Sequence, residues 1–153
     1  MDREIICDLY TNARFAGVDL NVLKILDRSF LGEFPEKFPS FLGVNISRID
    51  LVSVVIAMRG RGLNVFSVPV IYRDSLKVSL ESAYEIAIKH SEVAGCRVSL
   101  QNDFGFHPPV VWRFSLEDDA GAAGGLVMID RCDGHIWTAR DHYEYMYDCN
   151  AIV

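Results

Sequence analysis

The sequence predicts an α+β fold in which one helix packs on a four-stranded antiparallel sheet, preceded by a mostly helical N-terminal segment. The first observation is that apolar residues recur at helical spacing from Leu80 to about Glu92. The second is that, after Cys96, apolar and polar residues alternate, which is typical of half-buried strands. A helix followed by a meander of strands is the order of an α+β layer.

Residues 1–72 are predicted to form the helical segment, packed on an α+β domain of residues 73–153. Asn21 can cap a first helix that ends at Gly32. Residues 33–41 contain two prolines among phenylalanines, so we expect an extended connection there.

Ser47 and Asp50 have the spacing of a capping box and predict the start of a second helix. The sequence "RGRG" at residues 59–62 would close that helix, because glycine and cations favour helix C-termini. Asn64–Tyr72 is rich in β-branched and aromatic residues and predicts a strand, in which Pro69 indicates a sheet edge.

The C-terminal half has clear boundary signals. Ser79 can cap the main helix and Gly95 can end it. Asp133-Gly134 would supply the positive φ angles of a tight hairpin, and residues 141–148 predict a closing helix or turn. Trp112 and Trp137 are expected in the core. The predicted strands are Cys96–Gln101, Val110–Leu116, Leu126–Asp130 and His135–Thr138.

Charge restricts the class of partner. The chain of 153 residues is half hydrophobic, so it can bury a core, and its formal net charge is -6. An acidic protein repels phosphate backbones, which argues against nucleic acid. A basic protein surface is a better partner because opposite fields speed encounter.

The sequence also indicates the compartment. The N-terminal residues lack the apolar core of a signal peptide, and the longest apolar run, Leu51–Met58, is shorter than the roughly 20 residues a membrane span needs. We therefore expect a cytoplasmic protein that does not enter a membrane, as a monomer or homodimer. The cysteines are then expected to be reduced thiols, at Cys7, Cys96, Cys132 and Cys149.

A family resemblance covers about residues 77 to 148. An aromatic-rich strand precedes a glycine-bounded strand that ends in aspartate, and a glycine-containing turn, an isoleucine and an acidic aromatic tail follow. This order resembles the YrhB-like group of bacterial immunity proteins. The matching positions are Trp112, Phe114, Gly125, Asp130, Gly134, Ile136, Glu144 and Tyr145. The resemblance implies a stoichiometric inhibitor that blocks a toxin in the producing cell. The PepSY group shares the D-x-x-x-G turn and implies instead an exported regulatory or ligand-binding domain.

Catalytic and metal sites are the alternatives. One loose set of ligand-type residues has the spacing C-x2-H-x6-H-x6-C and would suit zinc, although buried thiols and surface histidines also explain it. Its members are Cys132, His135, His142 and Cys149. No nucleophile elbow accompanies the histidines, so we expect neither an enzyme nor a cofactor, while a small zinc-dependent enzyme stays a minor alternative.

Acidic side chains are the predicted contacts to the partner. They are Glu117, Asp118, Asp119, Asp133, Asp141 and Glu144. Solvated turns and turn-stabilising aspartates are the structural alternatives for these residues. The sequence-based hypothesis is a non-catalytic immunity protein that neutralises a basic cognate toxin by binding it.

Overall fold

The computed structural model describes residues 5–11, 40–75, 77–99, 107–118 and 123–151. The chain divides into two compact units, which we call the terminal unit (residues 1–70 and 143–153) and the central unit (residues 71–142). Within the described residues there are two three-stranded antiparallel sheets and four helices. The predicted α+β class is therefore confirmed.

The sheet of the terminal unit has its first strand in the middle. Strands β1 (Ile6–Thr11), β2 (Ser40–Ser47) and β3 (Val65–Pro69) are ordered β2-β1-β3, and both pairs are antiparallel. Pro69 thus lies in an edge strand, as predicted. The edge position suits proline because its missing N–H costs no ladder hydrogen bond there.

Helix α1 (Arg48–Gly60) begins at the predicted cap and covers this sheet. The Ser47 hydroxyl oxygen accepts a hydrogen bond from the Asp50 amide at 3.4 Å and donates one to the Asp50 carboxylate at 3.0 Å. Arg61 caps the helix C-terminus, inside the predicted "RGRG" stop. The buried face has helical spacing and consists of Leu51, Val54, Val55 and Met58. It packs in one core cluster with Cys7, Leu9, Val44, Ile46 and Val65 of the strands.

Strand β1 carries a buried carboxylate. Asp8 is fully buried, and its Oδ1 accepts hydrogen bonds from the amides of Val44 at 3.1 Å and Asn45 at 3.3 Å. The β1–β2 register shifts between Cys7 and Leu9, and Asn45 has a φ of 49°. The carboxylate therefore binds amides of a bulged strand that the regular ladder does not use.

The central unit packs one long helix on a sheet. Helices α2 (Ile71–Asp74) and α3 (Leu80–Ala94) precede strands β4 (Arg97–Val98), β5 (Val111–Glu117) and β6 (Ala123–Asp130), which are ordered β4-β5-β6. The predicted signals hold for α3: the Ser79 hydroxyl accepts the Ser82 amide, and Gly95 ends the helix at a φ of 75°. The core under α3 consists of Ala83, Ala87, Phe114, Leu116, Val127 and Ile129.

The predicted fourth strand of this sheet is wrong. Residues 135–138 form only an isolated bridge, Ile129 to Ile136. The turn before them is not the predicted tight hairpin, which needs a positive φ at both Asp133 and Gly134. Only Gly134 of this pair has one, at 77°. Thr138 already caps the next helix, α4 (Ala139–Asn150), in which it exchanges hydrogen bonds with Asp141. Too few residues remain between turn and cap for a ladder to form.

The prediction of a mostly helical N-terminal segment is wrong for the described residues. Up to residue 70 they form three strands and one helix. The predicted helix between Asn21 and Gly32 lies outside the described residues. The closing helix is confirmed as α4. No helix in the described ranges is long and apolar enough to cross a membrane.

Candidate functional site

The turn after β6 is organised by one buried aspartate. Asp130 is 4% exposed, and its Oδ2 accepts hydrogen bonds from the Tyr72 hydroxyl at 2.6 Å and from Trp137 Nε1 at 2.9 Å. Its Oδ1 accepts the amides of Cys132 at 2.7 Å and Asp133 at 3.3 Å. With four donors the carboxylate is well satisfied, so its role in this turn is structural.

Asp133 and His135 form an exposed pair in the same turn. His135 Nδ1 lies 2.6 Å from Asp133 Oδ1, and this oxygen also accepts the His135 amide at 2.9 Å. These hydrogen bonds lower the pKa of Asp133, and the bond from the His135 amide has the larger effect. Each of the residues Asp130, Asp133 and His135 has one potential metal-ligand atom within 4.8 Å of those of the other two. The hydrogen bonds of Asp130 and Asp133 explain this grouping without an ion.

The predicted zinc set is dispersed. In the described residues, the group of side chains that could share one ion contains His135 but not the other three predicted ligands. The Cys132 thiol donates to the Ile71 carbonyl at 3.6 Å, and burial followed by Asp130 raises its pKa. His142 lies beside Trp137 at 6.5 Å between ring centroids, and burial lowers its pKa. Cys149 is buried in the terminal unit against Cys7.

The predicted acidic contacts have different surroundings. Glu117 forms an ion pair with Arg97 at 2.8 Å, and Asp118, next along the chain, is exposed. Asp141 accepts the Thr138 amide at 2.8 Å, which lowers its pKa. Asp119 lies outside the described residues. Glu144 is exposed on α4 in the terminal unit.

One side of α4 anchors this helix to strand β3. Asn150 accepts the Ser67 amide at 2.7 Å through Oδ1, and its Nδ2 lies 3.5 Å from the Ser67 carbonyl oxygen. The Tyr145 hydroxyl donates to the same carbonyl at 2.6 Å. Arg59 donates to the carbonyls of Val65 and Asn150. Side chains thus satisfy backbone groups on the outer edge of β3, which would otherwise be open to another strand.

The other side of α4 is exposed and aromatic. Tyr143 and Tyr147 are 53% and 55% exposed, and their rings stack with centroids 6.4 Å apart and planes 8° apart. They are spaced i, i+4 and therefore share a helix face, and the residue after each of them, Glu144 and Asp148, lies about 100° further around the helix. This face points away from the anchored Tyr145, because a residue two positions on lies about 200° around a helix.

An open cavity continues this surface onto α1. It has a volume of about 350 Å³ and is lined by Arg48, Ile49, Val52, Tyr147, Asp148 and Ala151. Ile49 is 71% exposed at its rim, and Arg48 Nη1 lies 3.7 Å from Asp148 Oδ2. We call the surface formed by Ile49, Tyr143, Glu144, Tyr147 and Asp148 the tyrosine face.

Sequence reasoning identified one member of the tyrosine face, Glu144. The signal for the rest was in "YEYMYD", residues 143–148. On a helix this stretch places Tyr143 and Tyr147 on one side and Tyr145 on the other. Ile49 was not recognisable, because the cavity depends on packing between residues about 100 positions apart.

Comparisons with protein-family models, with curated proteins and with solved structures find no match for this chain. The resemblance to YrhB-like immunity proteins thus stays an interpretation of the sequence.

Proposed function

We propose that this chain is a non-catalytic immunity protein that neutralises a basic bacterial toxin by binding it through the tyrosine face. The observation that carries the proposal is the pair of exposed, stacked rings of Tyr143 and Tyr147 beside Glu144 and Asp148. Tyrosine is enriched at the buried centres of protein interfaces, where its ring supplies contact area and its hydroxyl a hydrogen bond.

The tyrosine face is organised before any partner arrives. Tyr145 and Asn150 hold the opposite side of α4 to Ser67, so the helix does not have to be ordered on binding. Stacking also restricts the two exposed rings. Pre-organised side chains lose less conformational entropy in a complex, which leaves more of the contact energy as affinity.

The charges of the tyrosine face suit a basic partner. The chain carries a formal net charge of -6, and Glu144 and Asp148 each follow one of the two tyrosines along the helix. Asp148 is half exposed and paired with Arg48 at 3.7 Å. An exposed ion pair of this kind contributes about 0–1 kcal/mol, so a lysine or arginine of the partner can replace Arg48 at little cost.

A cavity of this size suits one anchoring side chain. The stem of a partner lysine or arginine would pack on Ile49, Val52 and Tyr147, while its cation reaches Asp148. Such a buried anchor is typical of residues that dominate binding energy. The other predicted contacts, Glu117, Asp118, Asp119, Asp133 and Asp141, stay predicted contacts to the same partner.

The experiment is a tagged pull-down from the native host at low salt, with photo-crosslinking from an aromatic azide residue at position 147, which keeps a ring there. We expect one basic protein at equal stoichiometry, crosslinked at the tyrosine face and released as salt rises. Y147S should lose this protein. V93S is the matched control, because Val93 is 91% exposed on α3 and lies outside the tyrosine face.

Two results would contradict the proposal. One is equal recovery of the partner by Y147S and V93S, which would place binding elsewhere on the chain. The other is a crosslink from position 147 to a small molecule or to no partner, in cells that express the neighbouring gene, which for an immunity protein encodes the toxin.

A further inference from the structure

Two buried thiols meet in the terminal unit. Cys7 on β1 and Cys149 in the last turn of α4 are 0% and 4% exposed, and both are free cysteines. Their side chains are hydrogen-bonded to each other. This contact takes no part in the proposed function and joins residues near the two ends of the chain.

The surrounding hydrogen bonds fix this contact. Asn150, which follows Cys149, binds the amide of Ser67 at 2.7 Å. Ser67 pairs with Leu9 in the β1–β3 ladder, in which Cys7 pairs with Pro69. The last turn of α4 is thus held against the strand pair that carries Cys7.

We propose that Cys7 and Cys149 are an oxidisable dithiol that hydrogen peroxide converts into an intrachain disulfide. In the first step the Cys7 sulfur attacks peroxide, an S–O bond forms, the O–O bond breaks and one water leaves. In the second step the Cys149 sulfur attacks Cys7, the S–S bond forms, the S–O bond breaks and a second water leaves with the Cys149 proton. Overall, two thiols and one peroxide give one disulfide and two waters.

The surroundings of each thiol support these roles. The hydrogen bond from Cys149 lowers the pKa of Cys7 against the opposing effect of burial, and Ser67 and Arg48 lower it further. Cys7 is therefore the better nucleophile toward peroxide. The hydrogen bond to Cys7 is the main cause that raises the pKa of Cys149, followed by burial. This hydrogen bond is lost once Cys7 is oxidised, so the pKa of Cys149 falls and its attack in the second step is favoured.

An open cavity adjoins the helix end that carries Cys149. The open cavity of about 350 Å³ is lined by Asp148 and Ala151, the residues on either side of Cys149 and Asn150. Arg48 lines the same cavity and acts electrostatically on both thiols. Oxidation of the buried pair requires the end of α4 to open, and this cavity is where we expect peroxide to enter.

The test is graded peroxide treatment of the full-length chain, followed by intact mass measurement and a non-reduced peptide map. We expect a loss of two hydrogens per chain, a single linked peptide pair containing Cys7 and Cys149, and reversal by a thiol reductant. The oxidised chain should also unfold at a higher denaturant concentration, because the bond closes a loop from residue 7 to residue 149.

Variants separate this pair from the other cysteines. The double variant C96S/C132S should form the same disulfide, whereas C149S should form none and should accumulate an oxidised Cys7. The map of the wild-type chain does not depend on how the variants fold. Linkage of Cys96 or Cys132 in the folded chain would overturn the proposal. So would Cys7 and Cys149 that stay reduced at peroxide concentrations sufficient to oxidise Cys96.

Discussion

Asp130 should be a main source of stability in the central unit, and D130N tests this at nearly constant volume. Asparagine can keep an oxygen toward the amides of Cys132 and Asp133, but its NH₂ group then replaces the oxygen that accepts from Trp137. Leaving that buried indole N–H unpaired costs about 1–3 kcal/mol. The hydrogen bonds from the two amides also lose their charged acceptor, which adds roughly 1 kcal/mol to the loss of stability.

We therefore expect D130N to lower the free energy of unfolding by about 2–4 kcal/mol. Both tryptophans of the chain, Trp112 and Trp137, belong to the central unit, so urea unfolding followed by tryptophan fluorescence reports on this unit. D133N is the matched control, because Asp133 is exposed and its carboxylate is bonded to the amide and the ring of His135 within the same turn. It should change the free energy of unfolding by less than about 1 kcal/mol.

A double-mutant cycle checks the mechanism. Y72F removes the hydroxyl that donates to Asp130 at 2.6 Å, and alone it should cost about 1.5–3 kcal/mol. In the D130N background it should cost clearly less, since the charged acceptor is gone. Additive costs, or a D130N protein as stable as the wild type, would refute the view that this carboxylate organises the turn.

Three further predictions concern conformation, edge protection and pH. G134A should lower the free energy of unfolding by about 1–2 kcal/mol, because Gly134 has a φ of 77° and an added Cβ would lie 3.4 Å from Ile86. G60A, in the last turn of α1, is the control: its Cβ meets open space, so this substitution should be neutral or stabilising. N150A should lower the free energy of unfolding by about 2–4 kcal/mol, measured by circular dichroism, because it leaves the Ser67 amide on the edge of β3 without its acceptor. The same open edge should increase light scattering, and N64A, at an exposed position, is the control. Burial and Arg113 lower the pKa of His142 below its ordinary 6.5, so near this pH the unfolded chain binds more protons than the folded chain. The free energy of unfolding should therefore fall as the pH drops from about 7 through the folded pKa of His142. H142Q should flatten this pH dependence in urea titrations.

Helices α1, α3 and α4 were predictable because their signals are local, whereas the short helix α2 begins at Ile71, inside the range that was predicted as a strand. Ser47 and Ser79 cap α1 and α3 through residues three positions on, and Gly95 ends α3 in the left-handed conformation that glycine favours. The cap of α4 at Thr138 and Asp141 follows the same S/T-x-x-D/E pattern. A search for that pattern would have shown that residues 135–138 are too few for a fourth strand.

Strands β1 and β2 could not be predicted in the same way. β1 is the central strand and is buried on both faces, so it lacks simple alternation, and it includes Asp8, a residue type that strands disfavour. Asp8 is tolerated because amides of β2 donate to it. That bulged partner lies more than thirty residues away along the chain. Long-range pairing of this kind leaves no local signal.

The most direct test of the proposed function is growth of bacteria that express the product of the neighbouring gene, alone or together with this chain. The account predicts arrested growth with the neighbour alone, rescue by the wild-type chain and by V93S, and failure of Y147S at equal soluble expression. Rescue by Y147S equal to that by the wild type would contradict a role for the tyrosine face. Growth that never depends on this chain would contradict the immunity function itself.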